Sequence, residues 1–453
     1  MDGCRGYTKL KAEGVGANDA APTRVSWPKN IIAGILGRLS KSRQTVRSVA
    51  ALFSSNIASS ALTAVGGLLV ARFLGPEVTG AFRAYTIPLT YLIFLHLGTW
   101  DGLLRQIPYY IGKNMQDRVE ALASAAGAFN VLVSIVVSCG FLSCAAYSLA
   151  HHNYYGFFGW FSQVFCCWGI FYGCYLGSLY RTLDHFVTVA RIQLYQALLT
   201  FGLVFCLPFL GFYGLCARVA LPASLLAWLY HRNRPIKTGY RFDRKNLWDL
   251  ISIGLPFSFW GNLYTSVWTG TEFALVLSLG GVSALGLFSV ASVMRASVNS
   301  LPQAIWQVLT PRVVTNHARE ESIRKANARI AWVTVGLTGL MILLACAGFF
   351  LLGIFVPYVI PKYIAGIPVM KVCLWFPVVE AAFLPMNALF ATGRSWLYGR
   401  SIIAGVLVFA VATYLLVPVL GELLAVAAGS LLGRVARTVA AYVDLLLLAR
   451  REA

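Results

Sequence analysis

Apolar stretches of about twenty residues recur along the chain from Val46 to Leu448, separated by short polar connectors. Each is long enough to cross a hydrocarbon core about 30 Å thick. In lipid every backbone amide needs a partner within its own segment, so such stretches must be helices. The ten-residue alternation of a transmembrane barrel is absent. The pattern predicts twelve spans, at 46–71, 82–107, 119–149, 155–180, 187–209, 213–231, 248–279, 283–310, 326–356, 366–391, 396–417 and 423–448. The long segments 119–149 and 326–356 are read as one tilted helix each. The fold class is therefore all-α and polytopic. Residues 1–45 are polar and carry no signal-peptide pattern; they read as a largely disordered tail with an interfacial stretch near Ile31–Leu39.

Composition agrees. Of 453 residues, 58% are apolar and 12% charged, with a mean hydropathy of +0.69. A soluble domain carries roughly 45–50% apolar and about 25% charged residues. The net charge of +20 would suggest nucleic acid on a soluble chain,. Here the charge sits in short connectors, with no polar domain large enough to grip a strand, so no nucleic-acid partner is expected. Nine of the ten cysteines fall within spans or at their ends and read as small buried hydrophobes,. His151 and His152 are adjacent loop residues, a weak basis for a metal site. No metal, cofactor or catalytic group is expected.

Connector charge sets the orientation. The connectors assigned to the cytoplasm, with their adjoining helix ends and both termini, hold 29 of the 37 lysines and arginines. The outer ones hold Arg72, Arg83 and Lys362. The rest lie within spans. This imbalance places both termini in the cytoplasm and requires an even span count; the expected location is the cytoplasmic (inner) membrane. The halves also echo each other. Leu74-Gly75 with Gly80-Ala81-Phe82 returns as Leu279-Gly280 with Gly286-Leu287-Phe288, 205–206 positions later. Six spans separate them, which makes a parallel repeat about an axis along the membrane normal. The expected organisation is a tail (1–45), a first six-helix lobe (46–231), a cytoplasmic linker (232–247), a second lobe (248–448) and a short C-terminus (449–453), with a cleft between the lobes.

Polar groups in lipid cost several kcal/mol when unpaired, so their placement on a helix is informative. In the seventh span Ser258, Asn262, Thr265, Thr269 and Glu272 step by three or four, which predicts one continuous polar face. The eighth carries Ser292, Arg295 and Asn299 in the same way. In the second, Asp101 and Arg105 are four apart, with Arg83 five turns away on the same face. The first holds Asn56, Ser59, Thr63 and Gly66, a pattern that also fits a helix-packing seam. The twelfth holds Ser430, Arg434, Arg437 and Asp444, with its arginines read as headgroup ligands or braces. Glu380 lies mid-span with Asn387 seven residues on. The candidate cavity residues are thus Arg295, Asn299, Glu272, Arg83, Asn262 and Asn56. Glu272, Glu380 and Asp101 are the candidate sites for a coupling H+ or Na+.

Certain motifs resemble a known family. The run Val70-Ala71-Arg72-Phe73-Leu74-Gly75-Pro76-Glu77, followed by Gly80-Ala81-Phe82-Arg83-Ala84-Tyr85, resembles the first-to-second-span signature of polysaccharide export proteins. Gly254-Leu255-Pro256 and Leu285-Gly286-Leu287-Phe288-Ser289-Val290-Ala291 fit as well. These are features of the Wzx-type flippases of the multidrug/oligosaccharidyl-lipid/polysaccharide (MOP) exporter superfamily. The resemblance covers nearly all of the chain after residue 45. It implies two six-helix lobes opening alternately, and a cationic cavity that takes a lipid-linked oligosaccharide by its pyrophosphate. It further implies that the first, second, seventh and eighth spans line the cavity, with an acid near Glu272 and a base near Arg295. Other polysaccharide-assembly proteins and membrane lipids are the implied partners. Phe82 and Phe288 stand where tyrosine is frequent in relatives.

Three functions remain open: a flippase for lipid-linked glycans, a cation-coupled multidrug antiporter of the same superfamily, and a membrane glycan polymerase or ligase. The enzyme needs catalytic groups on a long outer loop, and the outer connectors here are short with hardly any ionisable groups,. Cavity charge separates the other two. A pyrophosphate calls for the forked, permanently charged donors of arginine; a cationic drug calls for an acid among aromatics. Arg295 and Glu272 offer both, and the signature motifs favour the flippase.

Overall fold

The computed structural model describes residues 54–237, 239–320, 323–386 and 395–452. The expected tail at 1–45 and Asn387 lie outside them. Among the described residues, nine helical segments are long and apolar enough to cross a membrane. The first four are Ser54–Phe73 (α1), Pro76–Gly112 (α2), Gln116–Ala150 (α3) and Tyr154–Thr182 (α4). Phe186–Arg232 is 47 residues long, about twice what one crossing needs. It turns at Gly211, whose φ is +51°, so it forms two crossings: α5 before the turn and α6 after it. The helical run that begins at Arg244 and ends at Glu320 likewise turns at Gly281, φ +75°, into α7 and α8. Ile323–Val359 (α9), Pro361–Ala382 (α10) and Ser395–Leu420 (α11) come next. The last helix, Glu422–Glu452 (α12), is less apolar because of its buried charges. It nevertheless runs antiparallel to α11, with Gly429 against Thr413, Gly433 against Gly405 and Asp444 bonded to Arg400. This gives the expected twelve crossings, and α3 and α9 are single unbroken helices.

Local chemistry explains the boundaries. Gly75 precedes α2, Pro76 opens it and Glu77 lies in its first turn; proline has no donor to lose there, and an acid suits the helix N-terminus. Asn153 caps α4 by accepting from Gly156 N at 2.9 Å. Asp243 caps α7 by accepting from Lys245 N at 2.9 Å and Asn246 N at 3.3 Å. The α8 helix reaches Glu320, so Arg312 and Arg319 sit on a helical extension rather than in a loop.

Side-chain burial marks two six-helix lobes. Buried clusters around Leu103, Leu122 and Tyr175, around Val204 and Phe212, and around Phe141 and Phe171 belong mainly to α1–α6. The largest cluster, with Trp268, Phe273, Phe288 and Tyr363, belongs mainly to α7–α12. The outer surface is apolar: Phe209, Trp332, Tyr358 and Tyr414 are each at least 80% exposed. That is tolerable only where the solvent is lipid.

Glycines bring the lobes together. Gly80 on α2 packs against Val282 and Gly286 of α8, and Gly286 packs against Pro76 of α2. At the other end of α2, Gly98 lies on the backbone of Gly254 and Leu255, and Gly102 on that of Leu250. Arg118 on α3 reaches Asp249 on α7 at 3.4 Å nearby. Of the echoed glycines, Gly80 and Gly286 are thus the places where α2 meets α8 most closely,.

Two predicted polar faces are interrupted. The α2 helix tightens to a 3-10 turn at Ile93–His96, after which Leu97 and Gly98 are left-handed. Its phase is lost there, so Arg83 and Asp101 do not share a face. In α7 a π-helical turn, Leu263–Val267, rotates the later part of the helix relative to the earlier part,. Ser258 and Asn262 therefore face α2, while Thr265 and Thr269 face a cavity.

Candidate functional site

A cavity of about 580 Å³ lies among α2, α7, α8, α10, α11 and α12. The α8 helix supplies Ser292, Arg295 and Asn299 to its wall, as their spacing predicts. Thr265 and Thr269 come from α7, Glu380 from α10, Arg434 and Arg437 from α12, and Arg83 from α2.

All of these charges but Arg83 form one network with Glu272. Glu272 is fully buried and accepts from two arginines: Arg295 Nη1 on Oε2 and Arg434 Nη2 on Oε1, both at 2.8 Å. Ser430 also donates to Oε1. Arg434 uses its other nitrogen on Glu380 Oε1 at 3.3 Å, and Arg437 reaches Glu380 Oε2 at 3.2 Å. The Tyr264 hydroxyl bonds to both Glu380 and Arg434. Guanidinium planes also rest on rings: Arg437 lies 3.6 Å from the Tyr264 ring centre and 3.9 Å from that of Phe383, and Arg295 lies 4.9 Å from that of Phe376. Such stacking suits arginine, whose flat ion is weakly hydrated.

Arg83 differs from the other three. It rests on Phe273 at 4.0 Å and forms no ion pair with a described residue; its buried Nε has no partner, as is also true of Arg434 and Arg437. Asn299 Oδ1 is buried and also without a partner. Four guanidiniums thus face two carboxylates, and one guanidinium has no acidic partner among the described residues.

The other sequence candidates fall elsewhere. Asn262 does not line this cavity; its side-chain amide lies 2.8 Å from His96 Nε2, and its Nδ2 donates to Ser258 Oγ at 2.9 Å. Asp101 joins the same α2–α7 junction through Ser258 rather than the charge network. Asn56 lines a second cavity, of about 810 Å³, among α1, α4, α5 and α8. The α12 stripe of Arg434 and Arg437 turns inward onto Glu272 and Glu380, where the two arginines brace the bundle and line the cavity. Their residue types and spacing were visible in the sequence, but their acids lie on α7 and α10, and only the packing pairs them. His96 carried no sequence signal. It is buried at the α2 break, where Nδ1 accepts from Gly98 N at 3.0 Å and the ring stacks on Trp100 at 3.9 Å.

No family model and no curated protein matches the chain. Solved structures do. An inward-facing multidrug-resistance MATE family transporter of the MOP superfamily aligns with a TM-score of 0.69 at 13% identity, over 89% of this chain and 98% of that one. An outward-facing one aligns with a TM-score of 0.66 at 13% identity, over 90% and 96%. A MOP superfamily transporter from Pyrococcus furiosus, described as having a binding pocket of reversed polarity that suggests a different function, aligns with a TM-score of 0.62 at 12% identity, over 90% and 95%. The chain has the fold of the MATE transporters of the MOP superfamily, twelve transmembrane helices in two lobes.

Proposed function

We propose that this protein is a flippase that carries a polyprenyl-pyrophosphate-linked oligosaccharide across the cytoplasmic membrane by alternating access. The observation that carries the reading is the excess of arginine in the cavity, Arg83, Arg295, Arg434 and Arg437 against Glu272 and Glu380. A pyrophosphate headgroup cannot cross hydrocarbon cheaply. Here it would replace lost water with forked, charge-assisted donors, each worth roughly 1.5–3 kcal/mol. Arg83 has donors to spare, since its Nε is unpaired and it forms no ion pair with a described residue. The lipid tail stays in the bilayer beside the cleft. Ligand binding biases the lobes only through different affinity for the two states.

A second reading, a cation-coupled multidrug antiporter, has its own support. The cavity is lined by Tyr264, Phe376, Phe383 and Tyr398, and MATE transporters are among the similar structures. Against it, both acids are already bonded to arginines, and the net positive field repels an organic cation.

Reconstituted vesicles separate the two. A fluorescent short-chain lipid pyrophosphate oligosaccharide in the inner leaflet should become accessible to dithionite at the outer surface only when the protein is present. If the lipid stays protected while the vesicles exchange ethidium for protons, the antiporter reading replaces the flippase.

A further inference from the structure

The second cavity differs in chemistry from the arginine site. About 810 Å³ in volume, it falls within the roughly 300–1,000 Å³ of small-molecule sites. Its wall carries no acid and no lysine. The one arginine, Arg181, is exposed at the end of α4. Elsewhere the polar lining is amide and hydroxyl: Asn56 and Ser59 from α1, Gln193 and Gln196 from α5, Ser297 and Ser300 from α8. Ser59 Oγ and Gln193 Oε1 are buried without a partner. Unpaired polar groups are expensive at membrane depth, so the cavity calls for a polar occupant. Side-chain amides both donate and accept, as a sugar hydroxyl does, whereas an ionised pyrophosphate diester only accepts.

The two cavities meet at α8. At about 100° per residue, Ser292, Arg295 and Asn299 form one sector of that helix and Val293, Ser297 and Ser300 the adjoining one. Ala296 and Gln303 fall between the two sectors, and both line both cavities. One molecule with a charged part and a neutral part can therefore lie around a single helix edge.

We infer that the amide- and hydroxyl-lined cavity of α1, α5 and α8 is a second subsite, which holds the neutral, hydroxyl-rich sugar portion of the headgroup whose phosphates lie on the arginines. This rests on the proposed flippase function and assigns the sugar its own place within it. The full-length protein in nanodiscs is titrated with a short-chain polyprenyl pyrophosphate, and with the same carrier bearing a neutral disaccharide. The sugar-bearing carrier should bind about tenfold tighter, the worth of one or two net hydrogen bonds. In the double variant Gln193→Leu/Gln196→Leu the ratio of the two affinities should fall to about one. Asn56→Leu, on a different helix, should lower it in the same direction. If the bare carrier binds but the sugar adds nothing, or the ratio survives the substitutions, the subsite is refuted and the arginine reading stands. If neither carrier binds, the anion reading falls, and the subsite with it.

Discussion

Gly80 and Gly286, 206 positions apart, hold the same place in the two halves of the chain and pack reciprocally, Gly80 on the backbone of Val282 and Gly286 on that of Pro76. Pro76 and Val282 are themselves 206 positions apart, so the contact is its own image under the repeat. A Cβ at either glycine would run into a carbonyl that belongs to a helix and cannot swing aside. Gly80→Ala or Gly286→Ala should therefore prise α2 and α8 apart at this end. Spin labels placed across it should report a longer distance, and flipping should fall. Gly75→Ala is the control, because a Cβ there meets nothing within 4 Å. An unchanged distance in Gly80→Ala would show that the seam is looser than its geometry implies.

Glu272 and Arg434 make a buried pair whose members each have a second partner. Removing one partner of a buried ion pair costs about 3–5 kcal/mol, because the other charge is left in a poor solvent. Arg434→Met should lower the thermal midpoint markedly, with Glu272 left to Arg295 and Ser430. In the double variant Glu272→Gln/Arg434→Gln the loss should be less than the sum of the single losses, measured as a double-mutant cycle. Strict additivity would mean that the two charges do not sense each other.

Much of this network was legible in the sequence as residues but not as partners. A three-to-four-residue step fixes which side chains share a helix face. That was enough to find Ser292–Arg295–Asn299 and Ser430–Arg434–Arg437. It does not say which face meets which, so Glu380 and Arg437 could not be joined. Periodicity also assumes an unbroken helix. The π turn at Leu263–Val267 and the left-handed break at Leu97–Gly98 each reset the phase, which took Asn262 out of the cavity it was expected to line and Asp101 off the face of Arg83. The span count survived because it depends on apolar length, and twelve lengths remain even where two pairs fuse at Gly211 and Gly281.

Arg83 offers a way to separate binding from folding. It has no acidic partner among the described residues, so its loss strands no carboxylate. Arg83→Gln should leave the melting temperature within a degree or two of the parent. Affinity for a lipid pyrophosphate should fall roughly 10- to 100-fold, the range of one charge-assisted contact. A large fall in stability with unchanged affinity would make Arg83 a brace instead.

His96 ties the broken end of α2 to α7 through Ser258 and Asn262, and within α2 accepts from Gly98 N. His96→Ala leaves buried polar groups without partners and should cost about 1–3 kcal/mol. His96→Gln keeps a donor and an acceptor and should recover part of it. Denaturant titration in detergent reads both. Equal stability for the alanine variant and the parent would show that water replaces the ring.

The orientation of the chain can be tested at the helix ends. Asn153 opens α4 and Glu422 opens α12, at the same end of the bundle as Gly80, and Lys237 lies between α6 and α7 at the opposite end; all three are exposed. The basic connectors gather at the Lys237 end, and such charge is retained on the cytoplasmic side. In a background freed of the native cysteines, Asn153→Cys and Glu422→Cys should react with an impermeant thiol reagent in intact cells. Lys237→Cys should react only after the membrane is opened. Labelling of Lys237→Cys in intact cells, with the other two protected, would invert the protein, and the arginine cavity would then receive its ligand from the outer face.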